Sequence, residues 1–304
     1  MNGVIVIDKP SGLTSHDVVN RVRRILGQRS VGHLGTLDPS ATGVLPIVVG
    51  NLTRLAQFYA HSEKTYEGII RFGFATDTYD ADGESTTPPQ AIEINYRELR
   101  AIAAQFQGMI EQIPPPFSAK KVAGVPAYEL ARKNKEVVLK PVQVEIKEFE
   151  ILDPARDETN DHKKNEAAFR ARVSSGTYIR SIAHELGKKL GCGAHLASLR
   201  RTTVAEFGIE DAHTLQALET AMQQGSAESV LDSLFVHPRK LAPQLPSVTA
   251  NEETAAFIRS GRAVNLPEMS RAPQIKVFHG QRDLIAIATR IAGTLFHPKI
   301  VFIG

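Results

Sequence analysis

A single cysteine, Cys192, in 304 residues excludes an internal disulfide, and no second cysteine stands near it to build a zinc cluster. Flanked by Gly191 and Gly193, it reads as a small residue in a turn. Long apolar runs are missing too. Stretches such as Val4 to Ile7 are far shorter than the roughly 20 residues needed to cross a bilayer. No Lys/Arg-led apolar stretch with a small-residue cleavage site opens the chain, so the expected location is the cytosol. Neither a P-loop nor a strand-bound G-x-G-x-x-G is present, which speaks against nucleotide-dependent chemistry, and there is no internal repeat or low-complexity tract. Excess charge is scarce: a net +3 is compatible with nucleic acid but too mild to demand it.

What is present is an ordinary globular composition, 42% hydrophobic and 23% charged, enough for one large domain and a small one. The basic residues are unevenly spread. Met1 to His61 holds six against three acidic ones, and Ala167 to Val204 holds seven against Glu185 alone. Phosphate attraction would exploit such a bias, although any one of these side chains is more simply solvated surface.

Val4 to Ile7 reads as a buried strand and Asp8 to Gly12 as a turn, followed by a helix capped by Ser15 and ended by Gly27. Gly32 to Pro46 keeps no period and reads as a structured loop. A strand is expected at Tyr66 to Phe72, a solvated acidic turn at Asp77 to Pro89, and a helix over Leu99, Ile102 and Phe106. Ala127 to Lys133 suggests another helix. Val142 to Ile151, with a slip of parity before Phe149, and Phe169 to Val173 read as a bulged strand pair. Gly176-Thr177 turns into a helix carrying Ile179, Ile182, Leu186 and Leu190. Pro238 to Pro246 reads as a linker into a β-rich module with a capping box at Thr249 to Glu252 and strands at Gln274 to Phe278, Leu284 to Ala288 and Leu295 to Ile303.

In the Gly32 to Pro46 run, glycines at 32, 35 and 43 and an Asp-Pro pair surround one carboxylate, Asp38. An isolated Asp-Pro pair is usually an Asx-type turn. This one is not isolated. The chain also carries Asp8-Lys9-Pro10-Ser11-Gly12-Leu13-Thr14-Ser15, Lys64-Thr65-Tyr66, Pro114-Pro115-Pro116-Phe117-Ser118-Ala119-Lys120, Ser175-Gly176-Thr177-Tyr178-Ile179-Arg180 and Leu199-Arg200-Arg201-Thr202. Together, from Asp8 to Thr202 and in the expected order, these runs resemble the signatures of the TruB-type tRNA pseudouridine synthases.

The resemblance implies an α+β pseudouridine-synthase fold: a large mixed, mainly antiparallel sheet flanked by helices and active-site loops over residues 1–240. A small PUA-like RNA-binding domain over 241–304 is implied by a weaker match. It further implies that Asp38 is the catalytic aspartate, that His33, Tyr66, Tyr178 and Leu199 line the uridine site, and that Arg180 pairs with Asp38. Lys9 and Pro10 would pack near the active loop, with Lys120, Arg200 and Arg201 in support. The implied substrate is the T-loop uridine at tRNA position 55, presented on the T-arm. No cofactor, no metal, no membrane and no obligatory protein partner are expected, and the chain is expected to act as a monomer.

The chemistry fits those residue types. Turning uridine into pseudouridine breaks C1′–N1 and joins C1′ to C5 without oxidation or consumption of water, so a carboxylate facing an electron-deficient sugar is needed and a second, water-directing carboxylate is not. The base must be flipped out and held by stacking, which suits Tyr66, Tyr178 and His33. Attack at C1′, attack at C6 and a glycal route all remain open. Two other readings compete: an RNA chaperone, which accounts for the basic segments but not for the Asp38 loop, and a base-excising glycosidase, which needs a second acid.

Overall fold

The computed structural model describes residues 1–118, 120–122, 125–127, 130, 139–153 and 164–302. Most of the helix expected at Ala127 to Lys133 lies outside the described residues. The chain is α+β and forms two compact units, one of residues 1–39, 43–60 and 204–304, the other of 40–42 and 61–203. Among the described residues no helix is long and apolar enough to cross a membrane.

In the first unit the strand Gly3–Lys9 lies between Ala212–His213, parallel to it, and Thr42–Val49, antiparallel to it. Val31–His33 adds to Thr42–Val49, so the aperiodic segment is shorter than the sequence suggested: its two ends pair as strands despite their glycines and proline. Every residue from Val4 to Ile7 is fully buried. The helix Ser15–Leu26 follows, and its cap is Thr14, not Ser15. Thr14 and Asp17 form a reciprocal capping box, which leaves the Ser15 hydroxyl available for the loop discussed below. Gly27 closes the helix in the left-handed conformation.

The C-terminal module of this unit is a five-stranded sheet in the order Ser247–Ala250, Gln274–His279, Asp283–Ala292, Leu295–Val301, Val264–Asn265. Its helix Glu252–Arg259 is capped by Asn251, whose side chain accepts from Thr254 N, while Thr249 of the expected box lies in a strand. The stretch read as a linker is ordered core, because Leu241 and Ala242 are fully buried. Leu241, Phe278, Ile287 and Phe302 share one apolar cluster with Val4, Val6, Val48 and Phe207. Tyr59 pins it: its hydroxyl donates to Glu206 at 2.5 Å, and Ala242 N donates to both, each at 2.9 Å. Burial and the Glu206 carboxylate hold the Tyr59 phenol protonated, well above its ordinary range.

In the second unit the order is Ala194–Val204, Lys64–Phe72, Glu166–Val173, Val142–Ile151, Gly108–Gln112. The expected bulge is present, as a register shift between Ile146 and Glu148. Phe169, Ala171 and Val173 are all fully buried, as their alternation required. The helix Ile179–Lys189 packs through Ile179, Ile182, Ala183 and Leu186. Two strands, Ala194–Val204 and Gly108–Gln112, had no counterpart in the sequence reading.

Candidate active site

Asp38 stands in a loop fastened on both sides. On one side Leu37 N donates to Ser15 Oγ at 2.8 Å and Ser15 Oγ donates to Leu37 O at 3.1 Å. On the other, Pro39 O accepts from Gly12 N at 2.9 Å and from Lys9 Nζ at 3.0 Å. Lys9 is fully buried, and its Nζ also donates to Pro10 O at 3.0 Å. Lys9, Gly12 and Ser15 all come from the Asp8 to Ser15 run, which the resemblance put near the active loop. Leu34 and Leu37 anchor the loop in the core while Asp38 remains half-buried, within reach of a ligand. Gly35, at φ 124°, allows the turn that its neighbours could not make. Gly35 N donates to His33 Nδ1 at 3.3 Å.

Arg180 organises a second cluster. It is nearly buried, and Nη1 donates to Thr78 O and to Asp80 Oδ2, both at 3.2 Å, while Nη2 donates to Phe117 O at 3.1 Å. A cation in the first turn of a helix is electrostatically misplaced unless an anion faces it, and Asp80 faces it. The acidic stretch was expected to be solvated. Asp80 overturns that expectation: it is 8% exposed and held by Thr78 Oγ1 at 2.5 Å as well as by Arg180. Sequence patterning misses it because the segment 76–84 has turn composition, and turn composition does not show which carboxylate points inward. A signal existed: Arg180 required an anion, and this is one.

Tyr178 is set by a reciprocal amide clamp, its N donating to Gln112 Oε1 at 2.8 Å and its O accepting from Gln112 Nε2 at 3.0 Å. Ser181 Oγ donates to Ile113 O at 2.9 Å. The Pro114 to Phe117 run therefore acts through its backbone, delivering the Phe117 carbonyl to Arg180. Lys120, half-buried, offers its own carbonyl to Ala127 N at 2.7 Å.

Tyr66, buried, lies opposite Ala171 on the Lys64–Phe72 strand. Leu199, Arg200 and Arg201 lie on the Ala194–Val204 strand, with Leu199 half-buried and Arg201 fully buried. Arg200 Nη1 donates to Thr42 Oγ1 at 3.4 Å, tying that strand to residues just beyond Asp38. Beside Tyr66, burial and the Arg201 guanidinium pull the Lys64 ammonium down to about 8. Among the described residues no group of three or more His, Cys, Asp or Glu side chains is placed to hold a metal ion.

His33, Asp38, Lys9 and Pro10 thus belong to the first unit, and Tyr66, Lys120, Tyr178, Arg180, Leu199, Arg200 and Arg201 to the second. Chain connection is short, since Ser40 to Thr42, two residues past Asp38, belong to the second unit.

Comparison with known proteins gives this geometry a family. A model described as TruB family pseudouridylate synthase (N terminal domain) matches residues 23–179, and one described as tRNA pseudouridylate synthase B C-terminal domain matches 180–238. A protein of Solibacter usitatus named tRNA pseudouridine synthase B is 48% identical over 304 residues, 99% of this chain and 100% of that one. One of the same name from Aquifex aeolicus is 39% identical over 301 residues, covering 98% and 99%. Among solved structures, a chain of a Cbf5-Nop10-Gar1 complex superposes with a TM-score of 0.71 at 25% identity, covering 99% of this chain and 85% of that one. The chain belongs to the TruB family of pseudouridylate synthases.

Proposed function

We propose that this protein isomerises the T-loop uridine at tRNA position 55 to pseudouridine, with Asp38 as its essential carboxylate and no cofactor. Formation of pseudouridine in tRNA is supported by the family and by the names of its full-length relatives. The observation that carries the role of Asp38 is the double clamp on its neighbours, Leu37 by Ser15 and Pro39 by Lys9 and Gly12. A carboxylate that must meet one atom of a flipped nucleotide gains most from a loop that cannot drift.

In this reading uridine is extruded from the T-loop, Asp38 engages the sugar or base as C1′–N1 breaks, the base turns, and C1′–C5 forms. The C5 proton then leaves. Tyr66 and Tyr178 supply the faces on which the flipped base rests, Leu199 an apolar wall, and His33 fills the space the base vacates in the RNA. Arg180 is the cation that keeps Asp38 ionised in a site closed to water. A glycosidase reading needs a second acid, and Asp80, the buried carboxylate of the acidic stretch, is already engaged by Arg180. The module over 241–304 is read as the PUA-like part that grips the tRNA. Exposing the uridine requires opening the tRNA elbow, so a refolding activity that does not need Asp38 belongs to the same proposal.

Incubation with an unmodified tRNA transcript, followed by pseudouridine mapping and tritium release from C5-labelled uridine, tests it. Native protein should modify position 55 and Asp38→Asn should give no product while still binding the RNA. Product from Asp38→Asn, modification at another site, or free uracil would each refute it.

A further inference from the structure

Tyr79 lies between the two residues that hold Arg180, and its backbone is unusual. Its φ is 65°, the left-handed region that a bulky side chain rarely adopts. Thr78 O and Asp80 Oδ2, one on each side of it, both accept from Arg180 Nη1. The Tyr79 carbonyl is itself occupied, by Leu196 N at 3.0 Å. With that kink fixed, the Tyr79 ring lies flat on His184, centroids 3.8 Å apart and planes 17° from parallel. His184 is four residues past Arg180 and therefore on the same helix face. Its Nδ1 has no hydrogen-bond partner among the described residues, and burial keeps the ring neutral. Stacking is what orients it.

We propose that Tyr79 and His184 are positioning residues for the reaction: their stack holds the left-handed turn that aims the Thr78 carbonyl and the Asp80 carboxylate at Arg180. The segment 78–80 grips the helix at two points one turn apart, the polar grip at Arg180 and the aromatic one at His184. Without the stack nothing pins the turn at residue 79: a tyrosine relaxes toward ordinary backbone angles, a glycine samples many others, and either carries both acceptors away from the guanidinium. This rests on the reading in which Arg180 serves Asp38.

The test compares Tyr79→Phe, Tyr79→Gly, His184→Ala and the Tyr79→Gly/His184→Ala double variant, each in the full chain, by single-turnover rate on saturating unmodified tRNA, RNA affinity and thermal midpoint. Tyr79→Phe keeps ring and rate. Tyr79→Gly and His184→Ala each slow the reaction about ten-fold with affinity unchanged, and the double variant is no slower than the slower single, as coupled partners require. Glycine carries no penalty at this φ, so a slow Tyr79→Gly with an undiminished midpoint shows misplacement and not unfolding. If its midpoint does fall, rescue by Tyr79→Phe and the loss in His184→Ala decide. Native rates in both Tyr79→Gly and His184→Ala, or losses that multiply in the double variant, overturn the proposal. Asp80→Asn separates the two levels. If it is slow while the stack variants are not, the grip of Asp80 on Arg180 is needed and the stack falls; if it is native in rate, that acceptor needs no aiming and the stack falls, while a native rate in Arg180→Gln removes the role of Arg180 itself.

Discussion

Lys9 places its ammonium on the carbonyls of Pro10 and Pro39, and so ties the turn after the first strand to the residue following Asp38. Replacing it by methionine keeps the apolar stem and removes the donors, leaving Pro39 O with Gly12 N. A shift of the loop by a fraction of an ångström is enough to matter for a nucleophile. Lys9→Met should lower the single-turnover rate by about ten- to a hundred-fold with RNA affinity unchanged, read by rapid quench and filter binding. An unchanged rate would mean that the clamp is not needed. Lys64 makes a prediction about pH. Its folded value of about 8 lies below the 10.5 of an unperturbed lysine. Between those pH values the unfolded chain holds a proton that the folded chain lacks, so stability relative to Lys64→Met should rise with pH across that window. Below pH 8 both states hold the proton and the penalty is complete. Carbon NMR of the ε position, with denaturation at several pH values, checks midpoint and sign. At this scale the sequence was informative where a residue's neighbours in the chain are also its partners, as with Lys9 and Pro10. Asp80 escaped because its partner lies 100 residues away.

Elements were legible where burial follows a period. The Gly3–Lys9 strand was legible as a short, continuous apolar run, while the Glu166–Val173 strand and the Ile179–Lys189 helix present regular apolar spacing. The Ala194–Val204 strand does not, because Arg200 and Arg201 fall adjacent in its middle and one of them is fully buried, which breaks any apolar alternation. Gly108–Gln112 was hidden by the opposite cause: as an edge strand it leaves Met109 exposed and buries Gln112 to clamp Tyr178. Helix starts moved by one residue at Thr14 because two adjacent hydroxyl residues are equally good caps by composition, and only one is free of the Asp38 loop. Contact between the Lys64–Phe72 and Ala194–Val204 strands depends on Gly68. A Cβ there would stand 2.3 Å from Ser198 O and 3.0 Å from the Phe169 ring. Gly68→Ala therefore forces the strand that bears Leu199 away from the one that bears Tyr66. The expected cost is about 2–3 kcal/mol of stability, measured by urea denaturation, together with loss of activity. A variant as stable as the native protein would show that the two strands can slide past each other.

On the scale of the whole molecule, the count of basic residues misleads unless each is followed to its partner. Residues 167–204 carry seven basic side chains against one acidic, which suggested a surface for phosphate. Several are committed elsewhere. Arg170 pairs with Glu67 at 2.6 Å and Arg172 with Glu148 at 2.5 Å and Glu63 at 3.3 Å, as ion pairs across neighbouring strands. Those carboxylates hold both guanidinium groups even further toward the charged form than usual. Arg180 faces Asp80, and Arg201 is fully buried. A phosphate would have to displace a carboxylate to engage Arg170 or Arg172. Each lysine or arginine that does contact phosphate contributes about one unit to the slope of log affinity against log salt. Arg170→Gln and Arg172→Gln should therefore leave both the slope and the affinity for tRNA unchanged, with little change in stability, as expected of exposed pairs. A fall of about one unit in either slope would place that strand face against the RNA and return the bare charge count to use as a guide to the binding surface.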